Sequence, residues 1–327
     1  MVSSLEQQQQ PIERPDLWKA PLAERLTRER ANEVVMDLLD TATPILADMV
    51  DRGIGRKTAK QDVPGREEDE ELEIDSMAES LEIEILEDSA KTNDLSFTIL
   101  SEHNNYTVGA GEPNCIISLD PFDNSDEYKK GLDIPPHITL AIYGLDLKPI
   151  AAGDANLFIQ HLYVNRDGKN YFLNPRQHSL TEIPIPPEIK SIEDPSFVIA
   201  SYPGRDKYSR KFNMYLDELN RNRFDKSTFH GKGGTHLYPY MAKGSVSAYA
   251  MFDEPRGEID PGAPFALSAG YNLNIVHSDG SIEPYKFDPT RQRETVPFFL
   301  AASTLELRDE IVAIAMAAKK KLKRSEW

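Results

Sequence analysis

The spacing of apolar residues predicts a long helix near the start of the chain. Between Leu22 and Asp51 they recur at i, i+3 and i+4, the period of one helix face, at Val34, Val35, Leu38, Leu39, Ile45 and Leu46. Pro44 either kinks this helix or divides it in two. Gly53 and Gly55 end it.

A charged segment and a second helix follow. Residues 57–71 are rich in charge and contain Gly and Pro, which predicts an exposed loop or a hairpin. The second helix carries apolar residues on one face and acids elsewhere, namely Met77, Leu81 and Ile85 against Glu79, Glu82 and Glu84.

Apolar or alternating runs predict strands in the middle of the chain. These runs cover residues 97–100, 115–119, 138–143, 150–153, 157–163 and 170–173. The turn sequence Asn165-Arg166-Asp167-Gly168 separates the last two and predicts a hairpin. The proline-rich residues 183–187 are the best candidate for a linker.

Beyond the linker, strands and helices alternate. Strands are predicted at 197–200, 248–252, 273–276 and 298–301, and helices at 209–220, 237–243, 263–269 and 305–321. A mixed antiparallel half is therefore followed by an α/β half. We expect a disordered tail over residues 1–16, an α+β domain over 17–187 and an α/β domain over 188–327.

Composition narrows the class of protein. The 327 residues can bury a large core, and no apolar run approaches the roughly 18 residues of a membrane span. A formal charge of −17 argues against a nucleic-acid polymer as partner, since such binding needs a cationic surface. One cysteine excludes an internal disulfide framework, and the polar N-terminus lacks the apolar core of a secretory signal. We expect a cytoplasmic protein that has no membrane partner.

The most informative residues are 119–125, Leu-Asp-Pro-Phe-Asp-Asn-Ser. An apolar run delivers two carboxylates, Asp120 and Asp123, onto a tight turn. Pro121 fixes φ there, so both carboxylates and the Phe122 carbonyl can converge. Carboxylate and carbonyl oxygens are the ligands that Mg²⁺ prefers. One Asp-x-x-Asp is a weak signal alone, because most such pairs lie in solvated loops.

Two further acids add weight to a metal site. Glu102 follows the strand at 97–100, where it is placed to share an ion with Asp120. Asp260 precedes a small-residue helix, so it is either another ligand or a helix N-cap. Clustered carboxylates repel one another strongly without a cation, which favours metal binding.

In this order the motifs resemble those of the inositol monophosphatase superfamily, which includes fructose-1,6-bisphosphatases and bisphosphate nucleotidases. The family pattern is an acidic strand end, then Asp-Pro-Ile/Leu-Asp-Gly-Thr/Ser, then a distant Asp before an Ala/Gly-rich helix. Here Ser101-Glu102, residues 120–125 and Asp260 with residues 263–270 are similar to it. The resemblance spans nearly the whole chain. It implies an α+β or α/β fold, the layered αβαβα sandwich of the sugar phosphatases, and often a homodimer.

The resemblance also implies ligands for two or three Mg²⁺ ions. Glu102, Asp120 and the Phe122 carbonyl would hold one ion. Asp120, Asp123 and Asp260 would hold a second, and Glu102 would help to place a weaker third.

For the substrate, the resemblance implies a small polyol, sugar or nucleotide phosphate that is hydrolysed by an activated water. Ser125, with its amide and that of Asn124, would meet the phosphate, and Asp253 and Glu254 lie where the family binds hydroxyls. Asp75 is similar to the family's Thr-x-x-Asp helix start, where it helps the motif hydroxyl to orient water. From the residues alone, an N-cap role for Asp75 is favoured.

Departures from the pattern keep an alternative open. Asn124 replaces the usual Gly, although Asn tolerates φ > 0 better than most residues. Asp126 and Glu127 add negative charge beside the phosphate site, and Ile259 replaces an aromatic residue. The alternative is a catalytically silent member that acts as a metal- or ligand-binding or scaffold protein. His236 is assigned to packing or to the surface.

Overall fold

A computed structural model describes residues 22–63, 66–102, 104–174, 179–202, 206–223, 228–231 and 233–320. The tail expected over residues 1–16 lies outside them. The described helices are α1 (Leu22–Asp51), α2 (Glu73–Asn93), α3 (Ser125–Lys129), α4 (Asp206–Arg223), α5 (Leu237–Ala242), α6 (Ala263–Ser268) and α7 (Leu305–Lys320). A single turn of 3₁₀ helix covers Arg256–Glu258.

The described strands form a hairpin and two sheets. The hairpin is β1 (Thr58–Val63) with β2 (Arg66–Leu72). The first sheet contains β3 (Ser96–Ser101), β4 (Asn105–Gly109), β5 (Cys115–Asp123), β6 (His137–Gly144), β7 (Pro149–Asn156), β8 (His161–Arg166), β9 (Lys169–Asn174) and β10 (Ser179–Glu182). The second contains β11 (Val198–Ser201), β12 (Thr228–His230), β13 (Ala248–Pro255), β14 (Asn272–Val276), β15 (Ile282–Pro284) and β16 (Thr295–Ala302).

Helices alternate with these two sheets in five layers. The first sheet has the order β10-β9-β8-β7-β6-β5-β3-β4, and the second has β12-β11-β13-β16-β14-β15. Helices α1 and α2 cover the outer face of the first sheet, α5 and α6 lie between the sheets, and α4 and α7 cover the second. The expected αβαβα sandwich is confirmed. Among the described helices, none is long and apolar enough to cross a membrane.

Helix α1 confirms its predicted bounds and passes through Pro44 without a break. Its apolar stripe, which includes Val35 and Leu39, is buried on the first sheet. Gly153 of β7 lies directly beneath it, where a Cβ atom would stand 2.6 Å from Val35 Cγ1 and 2.8 Å from Leu39 Cδ1. The helix therefore packs on the sheet at a distance that only glycine permits.

Helix α2 buries a different face from the apolar one seen in the sequence. Met77 is 38% exposed, whereas Glu79 is buried and Glu82 is fully buried. The hydroxyl of Tyr106 and the side-chain Nδ2 of Asn104 donate to Glu79 Oε2 at 3.0 and 3.1 Å. Desolvation and the Glu79 charge raise the pKa of Glu82 well above its usual value. The face of α2 that is buried is the one packed against β4 and β5, and sequence periodicity cannot show where those strands lie.

Some predicted strand bounds are wrong for a local reason. The strand expected over residues 157–163 begins only at His161. Before it, the Asn156 side chain accepts hydrogen bonds from the amides of Phe158 and Ile159 at 3.0 and 3.1 Å, and Gln160 has φ +52°. This side-chain-to-backbone turn competes with extended structure. The short strands β4, β10, β12 and β15 were not predicted, because each is too short to show a clear apolar run or alternation.

A polar contact crosses the middle layer between the sheets. The hydroxyl of Tyr143 on β6 donates to the carbonyl of Asp260 at 2.5 Å. The Tyr143 ring stacks on Phe287 with ring centroids 3.7 Å apart. The first sheet is thus joined to the segments that precede α6 and β16 by a hydrogen bond as well as by ring stacking.

The contact between α1 and β7 can be tested with Gly153→Ala. The added methyl overlaps Val35 and Leu39, so the free energy of unfolding should fall by about 1–3 kcal/mol, as for other overpacked cores. Urea denaturation measures the change. Gly257→Ala is the control, since its Cβ would meet nothing closer than 3.7 Å. Equal effects of the two substitutions would contradict the close packing.

Candidate functional site

A bulge in β5 places the two motif aspartates on one side of the first sheet. Asp120 pairs with Thr139 and Asp123 with His137, so three steps along β5 match two along β6. In a regular strand, residues three apart face opposite ways, and the extra residue of a bulge reverses this. Pro121 has no N–H to donate, so it is tolerated where the ladder is interrupted.

Asp120 lies in a buried setting dominated by other acids. Desolvation raises its pKa well above the usual range, and so do Asp123, Glu102 and Glu258, in that order. One oxygen, Oδ2, accepts a hydrogen bond from the Thr235 hydroxyl at 3.0 Å. The other oxygen, Oδ1, is buried and has no hydrogen-bond partner among the described residues.

Asp123 is held by the turn that precedes α5. A Cβ atom at Gly234 (φ +122°) would lie 2.3 and 2.5 Å from the two carboxylate oxygens of Asp123, so only glycine fits there. The amide of His236 donates to Asp123 Oδ2 at 3.1 Å, and His236 Nδ1 lies 2.7 Å from the same oxygen. Burial raises the Asp123 pKa, but the charge and hydrogen bonds of His236 outweigh it, and the net pKa is lowered.

A series of hydrogen-bonded polar side chains continues from Asp120 into the first sheet. Thr235 Oγ1 lies 2.9 Å from Thr139 Oγ1, whose hydroxyl donates to Asp154 at 2.9 Å. Asp154 is also 3.0 Å from His137 Nδ1. All of these side chains are buried. The carboxylates therefore rest on an ordered polar network.

The predicted acids Glu102 and Asp75 approach the site from its other side. Glu102, at the end of β3, acts on the pKa values of both Asp120 and Asp75. Asp75 is buried at the start of α2, and desolvation and Glu102 raise its pKa well above the usual range. Its Oδ2 accepts from the amide of Leu72 at 2.7 Å, while Oδ1 has no hydrogen-bond partner among the described residues. The N-cap role favoured for Asp75 is wrong, because Leu72 is the N-cap of α2 and Asp75 lies in its first turn. Asp75 bonds back to the N-cap amide and keeps one oxygen for another group.

Asp260 lies apart from the strongest contacts of Asp120. Its Oδ1 accepts from the Tyr285 hydroxyl at 2.5 Å, and its carbonyl accepts from Tyr143. Burial raises its pKa to about 7 against the opposing effects of Tyr285 and Arg256. The N-cap interpretation is wrong, because α6 begins after Gly262 and receives no side-chain cap.

Glu258, two residues earlier, was not identified from the sequence. It belongs to the 3₁₀ turn that packs against β5, and it is among the strongest charges acting on Asp120. Nothing in a Gly-Glu-Ile-Asp sequence indicates which acid faces the site. The register of the 3₁₀ turn, held by Gln292 and Glu294 carbonyls through the amides of Gly257 and Arg256, decides it.

The tight turn expected to carry Asp120 and Asp123 is wrong, because β5 continues through Asp123 and the chain turns only after it. Asn124 has φ +69°, which confirms that Asn replaces Gly here in the left-handed region. Its side-chain nitrogen Nδ2 donates to the Pro135 carbonyl at 3.2 Å. Ser125 begins α3 and is partly exposed, and the exposed Asp126 lies 3.6 Å from Lys130.

The predicted hydroxyl-binding acids lie at the end of β13. Asp253 has φ +55°, and its carboxylate forms an ion pair with Lys211 at 2.8 Å. Both side chains are largely buried. Glu254 is buried, and together with Glu258 it raises the pKa of Tyr202, after the larger effect of desolvation. Glu254 is thus near Glu258 through Tyr202, whereas Asp253 is engaged by Lys211 of α4.

The described acids around Asp120 are not arranged as a complete set of metal ligands. Among the described residues, no three His, Cys, Asp or Glu side chains stand in an arrangement that could hold a metal ion. The donor chemistry is nonetheless that of a hard-cation site, with buried carboxylates and an unpaired Asp120 oxygen. His236, assigned from the sequence to packing or the surface, is buried against Asp123, and no spacing pattern could have revealed it.

Comparisons with known proteins identify the fold. No protein-family model and no curated protein matches the sequence. An inositol monophosphatase of Thermotoga maritima superimposes with a TM-score of 0.61 at 14% identity, covering 91% of this chain and 98% of that one. SuhB of Bartonella henselae gives 0.62 at 16% (88% and 99%), and the Leishmania major fructose-1,6-bisphosphatase 0.61 at 15% (92% and 99%). The chain has the fold of the inositol monophosphatase and fructose-1,6-bisphosphatase superfamily.

The buried Asp260 predicts a pH-dependent stability in metal-free protein. Its pKa is about 7 in the fold against 3.8 when exposed, so the protonated form stabilises the fold below about pH 4, and this contribution is lost as pH rises through 7. Relative to wild type, Asp260→Asn should gain stability between pH 4 and 8, by at most about 4 kcal/mol. Urea denaturation in chelator, with the exposed Asp146→Asn as control, measures it. Parallel pH profiles for wild type and Asp260→Asn would contradict the buried-acid interpretation.

Proposed function

We propose that this protein is a Mg²⁺-dependent phosphomonoesterase that hydrolyses a small polyol, sugar or nucleotide phosphate. The observation that carries the proposal is the group of acids around Asp120, in a fold shared with an inositol monophosphatase and a fructose-1,6-bisphosphatase. Phosphate esters and clustered carboxylates are both anionic, so the two can meet only through cations. A cytoplasmic location and a homodimer remain predictions.

The residues fit a hard divalent cation. The buried Oδ1 of Asp120 has no hydrogen-bond partner among the described residues, and three neighbouring acids disfavour its ionisation without a cation. Glu102, Asp120, Asp123 and the Phe122 carbonyl would hold Mg²⁺, in two or three sites. When bound, Mg²⁺ supplies an activated water and neutralises charge on the leaving oxygen.

One ligand position has two candidates. The sequence resemblance points to Asp260, while the electrostatic contact with Asp120 supports Glu258. Tyr285 already engages one oxygen of Asp260, and Tyr143 fixes its backbone. We favour Glu258 as the ligand and Asp260 as a group that positions the 3₁₀ turn.

Asp75 and Ser125 are proposed to orient the attacking water. Asp75 keeps Oδ1 without a hydrogen-bond partner among the described residues, and that oxygen can accept a proton from water. Ser125 is a partly exposed residue at the start of α3. Its amide and that of Asn124 would contact the phosphate. The raised pKa of Asp75 comes from burial and from Glu102, and cation binding beside Glu102 would favour its ionised form.

The rest of the substrate is proposed to contact the end of β13. Asp253 and Glu254 can accept hydrogen bonds from hydroxyls, which suits a polyol or sugar. The Lys211 ammonium paired with Asp253 adds a cation at the same edge. A substrate with both hydroxyls and an anionic group would match this combination.

A catalytically silent binding protein is the second candidate. The observation that favours it is the close contact of His236 with Asp123. This contact occupies a carboxylate oxygen that Mg²⁺ would otherwise bind. Metal or ligand binding without turnover distinguishes it from the enzyme.

The central prediction concerns Asp120→Asn. The substitution removes the charge shared by the ions and keeps the side-chain shape, so hydrolysis should fall by a factor of 1,000 or more, roughly the loss expected for a shared ligand. Phosphate release from a panel of phosphomonoesters with Mg²⁺ measures it, and circular dichroism checks the fold. Wild-type protein that binds metal yet turns over none of the esters would instead support the silent member. Inhibition by Li⁺ would add support for the enzyme.

A paired substitution separates the two candidates for the last ligand. If Glu258 holds the ion, Glu258→Gln should weaken Mg²⁺ binding by about 10- to 100-fold, and Asp260→Asn should change it less than threefold. Isothermal titration of both variants at pH 8 provides the comparison. A larger loss of Mg²⁺ affinity in Asp260→Asn than in Glu258→Gln would identify Asp260 as the ligand instead.

A further inference from the structure

We propose that His236 is a positioning residue that fixes the direction of the Asp123 carboxylate. The preceding residue, Thr235, holds Asp120 in the same way. Both belong to the turn that leads into α5. The effect on turnover rests on the proposed function, whereas the direction of a carboxylate is measurable without substrate or metal.

His236 reaches one oxygen of Asp123 with two nitrogen atoms. Its main-chain amide donates to Oδ2 at 3.1 Å, and its ring atom Nδ1 lies 2.7 Å from the same oxygen. The oxygens of an ionised carboxylate can only accept, so Nδ1 is the donor of this direct hydrogen bond. Two donors from one residue fix the position of Oδ2 and the rotamer of the imidazole together.

The packing around the imidazole and the carboxylate keeps both in place. The ring of His236 lies against those of His137 and Tyr240, with centroids 5.2 and 6.1 Å away, and the residue is only 6% exposed. The backbone at Gly234 approaches the carboxylate so closely that a Cβ atom there would lie 2.3 Å from Asp123 Oδ1. The Asp123 side chain is therefore confined by the turn as well as bonded to it.

The same turn holds Asp120 in the corresponding way. The Thr235 hydroxyl donates to Asp120 Oδ2 at 3.0 Å, and Asp120 Oδ1 has no hydrogen-bond partner among the described residues. In Asp123, too, both donors reach Oδ2, and no described residue donates to Oδ1. Consecutive residues thus hold each motif acid by one oxygen and leave the other oxygen to another group.

This arrangement opposes the repulsion between the two motif acids. Like charges on Asp120 and Asp123 favour rotation of one carboxylate away from the other, and donors on a fixed turn prevent it. Reacting groups have to be held within about 0.5 Å of their productive geometry. Loss of the His236 donor should therefore slow the chemical step more than it weakens substrate binding.

Substitutions that move the donor test the proposal in the full-length protein. In His236→Asn the side-chain nitrogen can occupy the place of Nδ1, in His236→Gln it lies one bond farther out, and His236→Leu has no donor. We expect kcat to fall by about 10- to 100-fold in His236→Leu and His236→Gln, with KM changed less than about threefold. His236→Asn should recover most of the loss. His277→Ala, at an exposed histidine paired with Glu283, should change neither constant.

Crystal structures of metal-free wild type and variants provide a readout that does not depend on activity. The Asp123 carboxylate should keep its wild-type direction in His236→Asn and rotate in His236→Leu. An unchanged carboxylate in His236→Leu would overturn the inference.

The kinetic outcomes separate this inference from the proposed function. Equal kcat values for His236→Asn and His236→Gln would overturn the positioning role, and this comparison decides if His236→Leu does not fold. Turnover above wild type in His236→Leu would also overturn it, since the contact would then block the site. A wild-type protein that hydrolyses no ester contradicts the proposed function instead, and the crystal structures then decide the inference.

Discussion

Asp120 is surrounded by carboxylates that raise its proton affinity, and folding has to hold these acids together against their mutual repulsion. They come from three places in the fold: Glu102 directly follows β3, Asp123 lies on β5 with Asp120, and Glu258 lies in the 3₁₀ turn. Each is fixed by structure that is stable for other reasons, such as sheet pairing or turn geometry. The fold therefore holds the acids close together, and a bound cation would reduce the electrostatic repulsion between them.

The pKa values of the two motif aspartates are shifted in opposite directions by their neighbours. Asp123 has its pKa lowered by His236, whereas that of Asp120 is raised by its acidic neighbours. Histidine thus balances one charge of the pair while the other stays uncompensated within the described residues. Asp120 is therefore the carboxylate whose charge a bound cation would offset.

Much of the fold could be predicted, because its signals are local. The bounds of α1, the hairpin turn at Asn165–Gly168 and the positive φ of Asn124 follow from periodicity and residue type. The buried face of α2 could not, since tertiary pairing covers Glu82 and exposes Met77. In the site, the Asp120 motif was identifiable, but the contacts of Glu258 and His236 depend on the register of distant turns. Roles of the site residues remain predictions.

The bulge at Pro121 also bears on how the chain folds. A one-residue slip of β5 along β6 would carry proline into a continuous stretch of ladder, where its missing N–H leaves an acceptor unpaired. The same slip would send Asp123 to the opposite face of the sheet. Correct β5–β6 registry and assembly of the acidic group therefore depend on the same strand pairing.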